Sequence, residues 1–166
     1  MNQHTKKTVL IGFAFLSICA FWQMYDNVIP KILIETFHIP ESVSGYVMAA
    51  DNVLALFLLP FFGGLSDKSK SGMGRRRPFI LIGTLLAVGF MILLPLIDNS
   101  YFNSQSELKI ILFIATLALV LISMGVYRSP AVALMPDVTP KPLRSKGNAI
   151  INLMGAVGGI LYLLIT

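Results

Sequence analysis

The sequence predicts an all-α membrane protein with five transmembrane helices. Of its 166 residues, 55% are apolar and only 13% are charged, about half of the roughly 25% usual in a soluble domain. Five apolar stretches are each long enough to cross a bilayer, which takes about 20 residues of α-helix. Helices are expected because lipid offers no partners to unpaired backbone groups, and barrel strands would be shorter and alternating.

The five predicted spans cover residues 8–34, 43–65, 78–97, 108–135 and 147–165. Lys6 and Lys7 precede the first span, as in a signal peptide. Its apolar run is too long for such a peptide, and no A-x-A cleavage site follows it, so we predict a retained helix. The connections between spans are short, which leaves no room for an attached catalytic domain.

The basic residues predict the orientation. Ten of the thirteen Lys and Arg residues precede span 1, or lie between spans 2 and 3 or spans 4 and 5. The connections on the other side, residues 35–42 and 98–107, contain neither Lys nor Arg. Because positive residues stay in the cytoplasm, we predict a multi-pass plasma-membrane protein with its N-terminus inside. The net charge of +5 then follows from topology, and the expected partner is the lipid bilayer, not nucleic acid.

No pattern typical of an enzyme is present in the sequence. It contains no phosphate-binding loop, nucleophile elbow or metal-ligand cluster. The single cysteine, Cys19, excludes an intramolecular disulfide framework and a cysteine-cluster zinc site, and His4 and His38 are isolated. We therefore predict no catalytic residues, no metal site and no organic cofactor.

Ionisable residues inside a membrane are costly and mark functional sites by default. Three lie well inside the predicted spans, namely Asp26, Asp51 and Arg128. Asp26 shares a helix face with Gln23 and Asn27, and Trp22 lies one turn before it. An acid, two amides and an aromatic ring suit the hydroxyls and ring of a sugar. The alternative is a polar helix end near the outer interface, where aromatic residues are common.

Asp26 and Asp51 lie at similar distances from His38, the centre of the first outer connection. In an antiparallel helix pair they would therefore sit at similar depth. If both face one cavity, their repulsion favours binding of a proton by one of them. We predict that Asp51 or Asp26 binds a proton reversibly and so serves as the proton-coupling residue of a protein that moves protons. The alternative is an aspartate that only pairs with a neighbouring helix.

Polar residues in spans 4 and 5 are further candidates. Arg128 is predicted to bind a carboxylate or a sugar, and the alternative is an ion pair that holds spans together. Asn148 and Asn152 are expected either to face the same cavity as the two aspartates or to form hydrogen bonds across helices. Gly155 and Gly159 form G-x-x-x-G, which predicts close helix packing.

A motif of glycines and charges joins spans 2 and 3. It reads G-G-L-S-D at 63–67 and, after six intervening residues, G-R-R-R-P at 74–78. Its principal members are Gly63, Gly64, Asp67, Gly74, Arg75, Arg76 and Arg77. The first two glycines would let helices approach closely, and the guanidinium groups can pair with a carboxylate. We predict a charged latch that opens as helices move. The alternative is a cluster that only anchors the orientation and contacts anionic lipid.

This motif resembles the signature of the major facilitator superfamily, G-x-L-[SA]-D-x-x-G-[RK]-[RK]-[RK], at the same place in the topology. The longer spacing, followed by R-R-R-P-F-I, is similar to the sucrose transporter branch, near the glycoside–pentoside–hexuronide:cation symporters. A second segment, P-A-V-A-L-M-P-D ending at Asp137, resembles that branch's G-P-x-R-A-L-x-A-D. Arg144 and Asn148 then resemble its R-x-x-x-N.

The resemblance implies a secondary active transporter that works by alternating access. The implied substrate is a sucrose- or maltose-type glycoside, coupled to a proton or sodium ion. It also implies that Asp67, Arg75 and Arg77 stabilise one conformation of the carrier. The arginine of the plant-type pattern falls on Val132 and its acid near Leu121. The proton-site residue of sucrose carriers is therefore not carried over.

Five spans do not complete such a carrier, which is built from nested three-helix repeats in two halves. We expect residues 1–166 to be a partial N-terminal half of a six-helix bundle, whose partner is a missing C-terminal half. The chain alone is then not expected to transport. The alternatives are a truncated membrane interaction protein or a gene remnant, and a drug or other solute exporter of the same fold.

Overall fold

A computed structural model describes residues 3–72, 74–103 and 106–165, and the side chains of 8–72, 74–101 and 106–165. Within these ranges the chain forms five long helices: α1 (Gln3–Lys31), α2 (Glu41–Lys68), α3 (Arg77–Asn103), α4 (Glu107–Val138) and α5 (Arg144–Ile165). All five contain a stretch long and apolar enough to cross a membrane. The predicted all-α class with five transmembrane helices is confirmed.

The helices extend a few residues beyond the apolar spans that the sequence predicts. Helix α2 begins at Glu41, directly after Pro40, and ends at Lys68. An acid in the first turn and a base in the last turn both suit the helix dipole. Polar residues at helix ends therefore prolong a helix into the interface, whereas hydropathy alone marks only the part inside the lipid.

Helix α1 ends in a wider turn of π-helix over Ile32–Thr36. His38 then takes a positive φ of 53°, and the amide of Ile39 donates to the carbonyl of Leu33 at 3.0 Å. This closure resembles the left-handed residue that ends many helices. It directs the chain into α2 after a connection of only a few residues.

The structure forms two compact units. Unit 1 consists of the described residues within Met1–Asn27 and Pro130–Thr166, and unit 2 of those within Val28–Ser129. In unit 1 the first part of α1, the end of α4 and α5 bury a cluster of Ile11, Met135 and Ile151. In this unit α5 turns glycines toward α1, since Gly155 and Gly158 are buried.

Unit 2 is organised around α4, which is apolar on all sides, as is typical of a central helix. Its buried side chains include Phe113, Leu117, Val120 and Met124. The ring of Phe37 packs edge-on against Tyr101 and Phe113, with centroids 4.7 and 4.8 Å apart. Helix α2, in contrast, leaves many large apolar side chains exposed, as expected for a surface that faces lipid or further helices.

Candidate functional site

The charged motif forms a turn that Arg76 closes. The Nη2 of Arg76 lies 2.8 Å from Oδ1 of Asp67, and its Nη1 lies 3.5 Å from the hydroxyl of Ser66. Ser66 is fully buried and donates to the carbonyl of Gly63 at 2.8 Å. The side chain of Arg76 is only 12% exposed, against 57% for Asp67. The guanidinium therefore connects the end of α2 to the start of α3.

The other two arginines of the motif, Arg75 and Arg77, are exposed. Gly74 precedes them with a φ of 99°, and its amide donates to the carbonyl of Ser71 at 3.0 Å. A side chain at this φ would be strained, so the turn needs glycine. In this conformation the carboxylate of Asp67 is paired with Arg76, and the roles that the resemblance gives Arg75 and Arg77 stay predictions.

Gly63 has a packing role that involves α4. A Cβ at Gly63 would lie 2.9 Å from the hydroxyl oxygen of Ser129, and that hydroxyl donates to the carbonyl of Leu59 at 2.7 Å. Ser129 thus ties α4 to α2 beside the motif, a role that no sequence pattern predicted. Its only signal was a hydroxyl beside Arg128 in an apolar span.

The close approach expected at Gly64 is not found within the described residues. A Cβ at Gly64 would meet no atom within 4 Å there. The physical reason is its position, because Gly64 lies on the exposed side of α2. Of the two adjacent glycines, Gly63 is the one that the packing of unit 2 requires.

Arg144 holds the turn between α4 and α5. Its Nη2 donates to the carbonyl of Pro136 at 3.1 Å, and its Nε donates to the carbonyl of Thr139 at 3.4 Å. Pro136 lies in the last turn of α4 and Thr139 directly follows the helix, where carbonyls have no partners within the helix. Asp137 is exposed in the same turn. Arg144 therefore caps α4 from the first residue of α5.

The polar stripe of α1 lies in unit 1. The ring of Trp22 packs edge-on against Tyr25 at 5.4 Å, and Tyr25 is fully buried. The side chain of Gln23 packs against Gly159 of α5, where an added Cβ would lie 3.4 Å from its Cγ. Asp26 and Asn27 are exposed, and the amide of Asn27 donates to the carbonyl of Gln23 at 2.6 Å. The stripe thus joins a packed aromatic end to an open carboxylate and amide.

Helix α5 packs on α1 through glycines, and the tightest contact is made by Gly158, which the G-x-x-x-G pattern does not include. A Cβ at Gly155 would lie 2.9 Å from the sulfur of Cys19. At Gly158 it would collide with the carbonyl oxygen of Leu16, which is main chain and cannot rotate away. The signal for Gly158 was its place directly before Gly159. Asn148 and Asn152 lie on the exposed flank of the same helix.

Asp51 and Arg128 lie in unit 2, and both are half-buried. The amide of Asn52 donates to Oδ1 of Asp51 at 2.7 Å. The residue before Arg128, Tyr127, packs on Gly83, where a Cβ would lie 2.8 Å from the amide nitrogen of Tyr127. This contact fixes the rotation of α4 against α3 at the level of Arg128. Asp26 belongs to unit 1, so its predicted meeting with Asp51 stays a prediction.

Among the described residues, no group of three or more His, Cys, Asp or Glu side chains lies close enough to hold a metal ion. The polar groups on the stripe of α1 are a carboxylate that accepts, amides that donate and accept, and an indole N–H that donates. Such groups can bind hydroxyl groups by paired hydrogen bonds.

Three curated proteins illustrate what the chain is similar to. Sucrose transport protein SUC3 of Arabidopsis thaliana is 29% identical over 77% of this chain and 24% of its own length. Sucrose transport protein SUT4 of Oryza sativa subsp. japonica is 27% identical over 95% of this chain and 28% of its own length. Proton-associated sugar transporter A of Mus musculus is 30% identical over 73% of this chain and 17% of its own length. The chain spans about a quarter of the sucrose transport proteins that it matches. The search of solved structures found no significant match to the chain.

These relatives agree with the resemblance to the sucrose branch, which is thereby confirmed. A model of the family described as Major Facilitator Superfamily matches residues 11–166. With its five long apolar helices, the chain is a multi-pass membrane protein, and its family is one of transporters, not enzymes. The chain belongs to the Major Facilitator Superfamily.

Proposed function

We propose that this chain forms the first five helices of a sugar:proton symporter that works by alternating access. The observation that carries the proposal is the polar stripe of α1, where Asp26 and Asn27 stay exposed on an otherwise apolar spanning helix. The similar proteins are named as sucrose transport proteins and as a proton-associated sugar transporter. A sucrose- or maltose-type glycoside is therefore the proposed substrate, and the proton is preferred to sodium as the coupling ion.

The stripe is suited to bind a sugar. The carboxylate of Asp26 can accept two hydroxyl groups at once, and the amide of Asn27 adds both donor and acceptor atoms. Pro30 supplies no N–H to the carbonyl of Asp26, one turn earlier, so this oxygen is a further acceptor. Trp22 is held in place by Tyr25, and its indole is proposed to contact the sugar ring. Gln23 is positioned by its packing on α5.

Coupling is proposed to reside in Asp51 or Asp26. Asn52 donates a hydrogen bond to the carboxylate of Asp51 and so fixes the orientation of this side chain on α2. Arg128 lies half-buried in the same unit and is the proposed partner of a carboxylate or of the sugar. Asn148 and Asn152 are proposed as further sugar contacts.

The proposed setting is the plasma membrane, with the N-terminus in the cytoplasm. The remaining helices of the carrier are the proposed partner, because alternating access requires a second half that moves against the first. In this setting the turn closed by Arg76 and Asp67 is the proposed latch, which holds in one conformation and opens in the other. Gly74 shapes this turn, and Arg144 keeps α4 and α5 joined during the movement.

The test is uptake of radiolabelled sucrose and maltose by cells that express the native protein containing this chain. Asp26→Asn is expected to reduce uptake at least tenfold, since it removes the principal acceptor. Asp51→Asn is expected to abolish accumulation against a gradient while exchange of sugar continues. Glu107→Gln, which changes an exposed acid at the start of α4, is the control and should transport normally. If both aspartate variants still concentrate sugar on a pH gradient, the coupling proposal is wrong.

A further inference from the structure

The turn between α2 and α3 also encloses an open cavity of about 650 Å³. Three cationic side chains line it, those of Lys68, Lys70 and Arg75, together with the hydroxyl-bearing residues Ser69 and Ser71. In the described conformation the ion pair with Asp67 is made by Arg76 and not by any of these three cations. Their clustering around one cavity therefore needs a separate explanation.

The cavity has a positive electrostatic character. Lys68, Lys70 and Arg75 are all exposed, so their charges are available to a ligand. The one acid of its lining, Asp67, has an oxygen 2.8 Å from the guanidinium of Arg76, which offsets its negative charge. Lysine and arginine beside serine hydroxyls are typical ligands of a phosphate group.

The position of the cavity favours a lipid as the source of the phosphate. The candidate span on α2 ends at Lys68 and that on α3 begins at Arg77, so we expect the cavity at the level of the lipid head groups. Large apolar side chains are exposed on α2 just inside this level, and Leu81 and Leu85 are exposed on α3. A ligand with a phosphate head and apolar chains fits both surfaces, whereas a free anion uses only the first.

We propose that this cavity binds the head group of an anionic glycerophospholipid. Lys68, Lys70 and Arg75 surround its phosphate, Ser69 and Ser71 add hydrogen bonds, and the acyl chains lie along α2 and α3. A basic residue near an anionic membrane surface contributes about 1 kcal/mol, which corresponds to about a fivefold change in affinity. Loss of two of the lysines should therefore weaken binding about 25-fold.

The test uses the full chain in detergent micelles, titrated with dioleoylphosphatidylglycerol or dioleoylphosphatidylcholine and observed by native mass spectrometry. Lys68→Gln/Lys70→Gln is compared with Lys141→Gln/Lys146→Gln, which removes the same charge from exposed positions elsewhere. Circular dichroism confirms that each variant keeps its helices. The expected result is a loss of about 25-fold in phosphatidylglycerol affinity for the first pair, less than twofold for the second, and little change with phosphatidylcholine.

Three results would overturn the proposal. Equal losses for both pairs would mean that only overall charge matters. No loss for the first pair would remove the site. Displacement of phosphatidylglycerol by millimolar inorganic phosphate would assign the cavity to a small soluble anion. Arg75→Gln is a second variant that leaves both lysines in place, and it should give about a fivefold loss.

Discussion

The two arginine-closed turns, one in each unit, hold their helices in different ways. Between α2 and α3, Arg76 contacts a side chain, the carboxylate of Asp67. Between α4 and α5, Arg144 contacts main chain, the carbonyls of Pro136 and Thr139. A side-chain ion pair can separate without unfolding either helix, whereas a cap on helix carbonyls opens only if the helix end changes. The first turn is therefore suited to a latch and the second to a permanent joint.

The largest effect is expected from removal of the main-chain cap. Arg144→Gln loses two charge-assisted hydrogen bonds to the end of α4 and should lower the free energy of unfolding by about 2 kcal/mol. Because its partners are carbonyl dipoles, the loss should change little between low and high salt. Unfolding by SDS in mixed micelles measures it, with Lys146→Gln on the same helix as the control. A loss that disappears in high salt would make this turn a second ion-pair latch.

A smaller effect is expected where the first turn is anchored to α4. Gly63→Ala places a Cβ against the hydroxyl of Ser129, which also gives up its bond to Leu59, at a cost of about 1.5 kcal/mol. Ser129→Ala alone should cost about 1 kcal/mol.

The double variant distinguishes a clash from a general preference for glycine. Gly63→Ala/Ser129→Ala should be less destabilised than the sum of the two single variants, because the second change removes the atom that the first one meets. Strict additivity in the same unfolding assay would refute this contact. Gly64→Ala is the matched control, since a Cβ there meets nothing within 4 Å among the described residues.

The shape of the latch depends on Gly74. Its φ of 99° is unfavourable for residues with a Cβ, so Gly74→Ala should cost about 1 kcal/mol. Gly72→Ala, two residues earlier in the same turn, is the control, since a Cβ there would lie within 4 Å of no atom in the part of the chain that the structure describes. Equal stability of the two variants would mean that the turn does not need this conformation.

The smallest effect is expected for the ion pair itself. Asp67 is 57% exposed, so its coupling to Arg76 in a double-mutant cycle of Asp67→Asn and Arg76→Gln should be only about 0.5 kcal/mol. It should shrink in high salt, because solvent-exposed charges are screened. A coupling energy above about 2 kcal/mol that does not change with salt would mean that this ion pair is permanent. The proposed difference between the Arg76 and Arg144 turns would then be wrong.

The sequence predicted the helices well because the long apolar run of each span is visible in the sequence itself. The motif was also found, but which arginine pairs with Asp67 was not. Three consecutive arginines are chemically alike, and the direction that each takes depends on the turn at Gly74, which no periodicity describes. The packing roles of Gly158 and Ser129 were not predicted for a related reason. Their importance lies in atoms of another helix, Leu16 in one case and Leu59 in the other.

The candidate sugar site was predictable as a set of residue types, because a carboxylate in an apolar span is conspicuous. Its geometry was not, since Asp26 and Asp51 belong to different units. The structure adds which members are packed and which are open: Trp22 and Gln23 are fixed by neighbours, and Asp26 is exposed.

The central proposal is sugar:proton symport, and the most direct measurement is sucrose-driven proton movement. Proteoliposomes that contain the native protein with this chain, loaded with a pH-sensitive dye, receive sucrose from outside. The lumen should acidify on addition of sucrose, and the signal should vanish in Asp51→Asn or Asp26→Asn while Glu107→Gln retains it. Sucrose entry without acidification, or acidification unchanged in both aspartate variants, would contradict the proposed mechanism.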